Sequence, residues 1–125
     1  MNSLEGRIAI VTGSSRGIGE AIASRFAAEG ASVIVNYMSG FKEAQKVVET
    51  ISEKGGTAAA VKADASRAEG IVALFETAEK YFGRANILVN NAGISLHKLI
   101  PISEISEEQF DRVFSINCRG VFMAM

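Results

Sequence analysis

The chain has one cysteine, Cys118, and one histidine, His97. A lone cysteine excludes an internal disulfide and a thiolate cluster. One imidazole is too few for a histidine-based zinc site, so no metal is expected. Neither sign of charge is in excess: 13 Lys and Arg stand against 14 Asp and Glu, a net charge of −1. That balance lacks the basic footprint of a nucleic-acid binder and the polybasic patch of a membrane-surface protein. Long apolar runs are absent as well. The start, MNSLEGRIAIVTG, holds too short an apolar stretch for a signal-peptide core or a bilayer span. No Asn-x-Ser/Thr acceptor occurs. These absences lead to the expectation of a reducing, most simply cytoplasmic, setting.

What is present is apolar content of 48% in 125 residues, which argues against disorder and suffices for one domain with its own core. Short apolar runs alternate with amphipathic stretches. RIAIV (7–11) reads as a buried parallel strand, followed by a helix over 16–29 with Ile18, Ile22 and Phe26 on one face and Gly30 past its end. SVIVN (32–36) is a second strand. Phe41, Ala44, Val48 and Ile51 mark a second helix closed by Gly55 and Gly56. TAAAVK (57–62) is a third strand. Ser66 and Glu69 read as a capping box for a third helix with Ile71, Leu74, Phe75, Ala78 and Phe82 inward and Gly83 at its end. NILVN (86–90) is a fourth strand. A loop holding the only proline, Pro101, leads to a second capping box, Ser106–Gln109. A last helix then carries Phe110, Val113, Phe114, Asn117, Val121 and Phe122 at helical spacing, with Cys118 as a small core residue. The chain reaches Met125 with that periodicity still running. The alternation predicts an α/β fold, a Rossmann-type doubly wound parallel sheet. About four strands are expected in the order 3-2-1-4, over residues 1–125 as one unit ending inside a helix.

The strongest chemistry lies in VTGSSRGIGE, which joins the first strand to the first helix. Gly13 permits a tight turn, Gly17 lets backbone approach a pyrophosphate, and Gly19 lets helix and sheet pack closely. The free N–H groups of the helix start face the anion, helped by the helix dipole. Asn90-Asn91-Ala92-Gly93 ends the fourth strand on the carboxyl edge, where open α/β sheets bind ligands; read without a partner, it is a turn. Asp64 follows the third strand, where a loop acid is the plainer reading. Spacing alone makes Asn117 a satisfied core asparagine.

Thr12-Gly13-Ser14-Ser15-Arg16-Gly17-Ile18-Gly19 resembles the cofactor fingerprint of the short-chain dehydrogenase/reductase family. Asn90-Asn91-Ala92-Gly93 resembles the same family's second motif, and the likeness covers essentially the whole chain. The resemblance implies cofactor contacts from Gly13, Ser15, Arg16, Gly17, Ile18, Gly19, Asn90, Ala92 and Gly93. It implies that Asp64 bonds the adenine amino group. It implies too that Asn117 is the catalytic-site asparagine, at a bend in the helix that holds a water of the proton relay. An NAD site carries an acid at the end of the second strand. Here Asn36 and Tyr37 stand there, with no carboxylate until Glu43. Arg16 offers a forked cation for a 2′-phosphate, with Ser39 or Lys42 as additional contacts, so NADP(H) is expected over NAD(H).

The implied reaction is hydride transfer to or from the carbon of a small-molecule carbonyl or alcohol. In that family a tyrosine with a lysine four residues later moves the proton, because a nearby ammonium lowers a phenol's pKa. This chain has Phe41 four residues after Tyr37 and Ala85 four after Tyr81, so neither tyrosine has the lysine. The sequence therefore reads as the cofactor half of an oxidoreductase, inactive alone. The alternative is a noncatalytic dinucleotide-binding or interaction protein. The glycine spacing, G-x-x-x-G-x-G, speaks against the epimerase-type relatives. An unpaired fourth strand predicts marginal stability or aggregation. The stretch 94–104 is expected to wall the substrate pocket, with His97 as a loop surface residue. The resemblance also implies a homo-oligomer paired through the last helix.

Overall fold

Runs such as SVIVNY are apolar at successive positions because both faces of the strand are covered. A computed structural model, which describes residues 2–96 and 98–125, has four strands: β1 (Ile8–Val11), β2 (Ser32–Tyr37), β3 (Thr57–Lys62) and β4 (Ile87–Val89). They form one parallel sheet in the order β3-β2-β1-β4, as the alternation predicts. The register pairs Ile10 with Ile34 and with Leu88, and Asn36 with Val61. The helices are α1 (Gly17–Ala28), α2 (Phe41–Glu53), α3 (Ala68–Tyr81), α4 (Glu107–Phe114) and α5 (Gly120–Ala124), with a π-helical turn at Ser115–Arg119. His97, expected on a loop surface, lies outside the described residues.

Successive strand residues point to opposite faces, and two cores result. Ala9, Val11, Val33 and Val35 pack with Ala23, Ala27, Ala44, Val47 and Ile51 of α1 and α2. Ile10, Ile34 and Val61 pack with Leu74 and Ala78 of α3 on the other side. β4 pairs only with β1 among the described residues, and its three residues are half-buried.

Several expectations about helix faces are corrected. The buried residues of α1 are Gly19, Ala23 and Ala27; Ile22 and Phe26 are half-buried against the same core as expected, while Ile18 is 75% exposed. In α2, Ala44, Val47 and Ile51 are buried. Val48 is half-buried and Phe41 is exposed, its ring tilted against Tyr37 at a centroid separation of 6.2 Å. Helices seated closely on a sheet need small residues at the contact, and the larger side chains fall outside it.

The last helix departs furthest. Instead of one continuous α-helix it widens into the π turn; Gly120 is buried, and Val113 and Val121 of the expected stripe are half-buried together with Ile116 and Ala124. Phe110 and Phe114 stack on each other at 4.4 Å on the outer side and are exposed, as is Phe122. Cys118 is exposed rather than in the core, and Asn117 is exposed rather than buried, because the wide turn carries both away from the apolar contact. The capping box at Ser106 and Gln109 is present in full, through Gln109 N–H to Ser106 Oγ (3.1 Å) and Ser106 N–H to Gln109 Oε1 (2.9 Å). The one expected at Ser66 and Glu69 is not. α3 starts after Arg67, and Ser66 instead donates both its N–H (2.9 Å) and its hydroxyl (2.6 Å) to Asp64 Oδ1.

Candidate dinucleotide site

Parallel strands leave all their carboxyl ends on one edge, and the glycine turn, the 63–66 corner and the 91–94 segment meet there. They line a cavity of about 780 Å³. Its walls include Gly13, Ser15 and Arg16 from the turn, Asn36 and Tyr37 from β2, and Asp64 from the corner. Ala92 and Gly93 close it beyond β4, and Ile94, Ser95, Leu96, Lys98 and Ile100 extend it, while residues 101–104 do not line it.

The turn is built for close approach. Gly13 has φ +59°, which favours glycine, and a methyl there would lie 2.9 Å from Ala92 Cα. Gly17 has φ +62° and opens onto free space. Gly19 is wedged: a methyl would lie 2.5 Å from Asn91 Nδ2, 2.6 Å from the Gly13 carbonyl oxygen and 2.8 Å from Ser14 Cα. Arg16 and Ile18 are exposed beside this turn.

Three side chains hold the turn, and none of them is among the site residues expected from the sequence. Thr12 is buried, and its Oγ1 accepts from Asn91 N–H (3.0 Å) and Ala92 N–H (2.9 Å). Asn91 Nδ2 donates to the carbonyls of Thr12 (3.0 Å) and Gly13 (2.9 Å). Asn90, which the sequence suggested, is exposed and lies outside the cavity walls. Of the two adjacent asparagines, only Asn91 turns toward the glycines. Ser14 is the third; its hydroxyl donates to Val11 O (2.7 Å) and accepts from Asn36 N–H (3.1 Å).

Asn36 is 2% exposed, and both its amide oxygen and its amide nitrogen are hydrogen-bonded. Its Oδ1 accepts from Gly13 N–H (3.1 Å), and its Nδ2 donates to Val61 O and Ala63 O, both 3.2 Å. It ties β2, β3 and the turn together, leaving Tyr37 as the half-buried side chain next to it in the cavity wall. Ser39 also lines the cavity, and Lys42 does not. Arg16, Lys98 and Arg112 are the cations of the wall, against the single carboxylate of Asp64. That balance suits a polyanion.

Asn117 reaches from the π turn to the 93–94 segment. Its Oδ1 accepts from Ile94 N–H and its Nδ2 donates to Ile94 O, both at 2.8 Å. Tyr81, at the far end of α3, does not line the cavity.

The Asp64 carboxyl is held below the usual aspartate range, chiefly by the Ser66 hydroxyl. Burial works the other way, and the Ser66 N–H and the Arg67 charge add to the lowering. A lowered folded pKa stabilises the fold above the ordinary value of about 3.9, and that stability is lost as pH falls through the folded value. Asp64→Asn should therefore melt with a flatter pH dependence than the parent as pH falls below about 5. Parallel melting curves for the two would refute the assignment.

The helices around this edge start without side-chain caps. α1, α2 and α3 have Arg16, Gly40 and Arg67 at their N-cap positions, and none accepts from the first turn; α4 has the full capping box. Each uncapped start is at, or one residue from, a residue of the cavity wall.

Comparison with known proteins agrees with this geometry. The family model described as short chain dehydrogenase matches residues 7–125. An oxidoreductase of Methylorubrum extorquens is 47% identical over 99% of this chain and 49% of its own length. The crystal structure of a dehydrogenase/reductase from Sinorhizobium meliloti superposes with a TM-score of 0.92 at 43% identity, covering 98% of this chain and 48% of that one. A blue fluorescent protein from a metagenomic library, solved in complex with NADPH, gives a TM-score of 0.90 at 38% identity, over 99% of this chain and 50% of that one. The chain thus spans about half the length of the relatives it matches.

Proposed function

Because the chain belongs to the short chain dehydrogenase family, we propose that residues 1–125 form an NADP(H)-binding unit. It would serve an oxidoreductase acting on a small-molecule carbonyl or alcohol. The observation that carries the cofactor choice is the second-strand end. Asn36 is spent internally, Tyr37 is uncharged, and Arg16 stands exposed beside the turn with no carboxylate but Asp64 in the cavity wall. An acid at the end of β2 would hold a ribose 2′-hydroxyl and repel a 2′-phosphate. Arg16 would instead pair with that phosphate. The residues present fit the cofactor: Gly17 leaves open the space a side chain would fill, and the uncapped start of α1 offers N–H groups to a pyrophosphate.

When bound, the nicotinamide supplies or takes up a hydride. The residues of this chain bind and orient. Ser15, Arg16, Gly17, Ile18 and Gly19 hold the phosphates, Asp64 takes the adenine amino group, and Ala92 and Gly93 line the path toward the reacting end. Asn117 acts as a positioning residue, since both ends of its amide are spent on Ile94. Neither Tyr37 nor Tyr81 is followed by a lysine four residues on, so proton transfer is not assigned to any tyrosine here. That same fact favours, as the second reading, a noncatalytic dinucleotide-binding protein, which shares the binding test and differs only in turnover.

The test is titration with NADPH and NADH. NADPH should bind at least about ten-fold tighter, and Arg16→Ala should cost it roughly 10- to 100-fold while barely changing NADH, as expected for a charge-assisted contact of about 1.5–3 kcal/mol. Equal or tighter binding of NADH by the parent chain would sink the proposal.

A further inference from the structure

Two glycines of different helices press on one corner of the cavity. Gly70, in the first turn of α3, lies so close to Asp64 that a methyl would overlap the Asp64 carbonyl oxygen and sit 2.8 Å from its carbon. Gly120, the one buried residue of α5, does the same to Ala65. A methyl there would overlap the Ala65 carbonyl oxygen and sit 3.2 Å from its carbon. Real Cβ atoms do not make such contacts with backbone, and the peptide oxygens have no flexible end to yield. The corner is therefore held on two sides by bare Cα atoms, and its position depends on both helices.

The same helix grips a second part of the cavity. Asn117, three residues before Gly120, clasps Ile94 through its two hydrogen bonds. One π-widened element thus fixes both the 93–94 segment and the 64–65 corner, which lie on opposite sides of the glycine turn in the cavity wall.

We infer that Gly120, with Gly70 opposite it, is a positioning residue for Asp64 and so sets how tightly the adenine end of the dinucleotide is read. Neither glycine touches the cavity itself; each acts through the corner it presses. The inference rests on the proposed function, in which Asp64 bonds the adenine amino group.

A ligand pair isolates that contact: NADP⁺, and 1,N⁶-etheno-NADP⁺, in which the amino group is blocked. The parent chain should prefer NADP⁺ by about ten-fold, the worth of one hydrogen bond to a carboxylate. Gly120→Ala and Gly70→Ala should each retain a cooperative melt and bring that preference close to one. A glycine needed only for general packing would weaken both ligands alike and leave the ratio unchanged, which would overturn the inference. Where one variant melts without cooperativity, the other decides; if both do, the glycines serve folding and the inference falls. A parent chain that binds both ligands equally removes Asp64 as the reader of the amino group and the inference with it. One that binds neither refutes the proposed function itself.

Discussion

Gly19→Ala lowers the melting temperature by about 10 °C and abolishes dinucleotide binding. The added methyl would meet Asn91 Nδ2 at 2.5 Å, the Gly13 carbonyl oxygen at 2.6 Å and Ser14 Cα at 2.8 Å. Two of the three are backbone of the turn, so relief requires α1 to lift or the turn to open. Overpacking of this kind costs about 3 kcal/mol at the upper end of its range. At an unfolding entropy typical of a chain this size, that is about 10 °C. Gly17→Ala is the useful contrast. It meets nothing within 4 Å, and its cost is the positive φ alone, about 1 kcal/mol and about 4 °C. Melts followed by circular dichroism separate the two, and a Gly19→Ala melt no lower than that of Gly17→Ala would contradict the wedge.

The second large effect comes from a buried side chain outside the cavity wall. Thr12→Val keeps the shape and removes the oxygen that accepts from Asn91 and Ala92. Ala92 N–H is left unpaired, while Asn91 N–H keeps its second acceptor, Val89 O (3.0 Å), so the cost is about 1–3 kcal/mol. The segment that carries Ala92 and Gly93 loses its anchor, so NADPH affinity should fall at least about ten-fold as well. Thr12→Ser retains the acceptor and should recover most of both losses. Urea unfolding alongside NADPH titration checks this. If serine and valine prove equally damaging, the methyl rather than the hydroxyl matters and the account is wrong.

The sheet order and the glycine turn were legible because they rest on strong local signals. Continuous apolar runs mark strands covered on both faces, and three glycines at a strand-to-helix junction mark a tight turn. Helix faces were legible only where the inward residues are large, as with Ile71 and Leu74 of α3. Where a helix seats closely, the inward residues are Gly19, Ala23 and Ala27, or Ala44, or Gly120, and periodicity of large side chains points outward to Ile18, Phe41 and Phe114. The site was legible to the level of motifs but not of hydrogen bonds. Nothing local distinguishes Asn90 from Asn91, and Asn36 reads as a ligand residue until its three partners on other strands and the turn are seen. Ser66 was misread because an acid two residues earlier outcompetes the helix for its N–H and hydroxyl.

The uneven capping of the helices has a thermodynamic reading. An N-cap side chain contributes about 1 kcal/mol to a helix. α4 has that contribution built in, while α1, α2 and α3 begin without it, all around one cavity. On the proposed function, a pyrophosphate at the start of α1 would complete what the sequence leaves undone there, and part of the folding free energy would come from outside the chain. Folding and occupancy then form a single coupled equilibrium. A ligand at one hundred times its dissociation constant adds about 2.7 kcal/mol to the native state. On the proposed function, that sum would shift the folded fraction, and the concentration of the dinucleotide would become a control on the abundance of its binder.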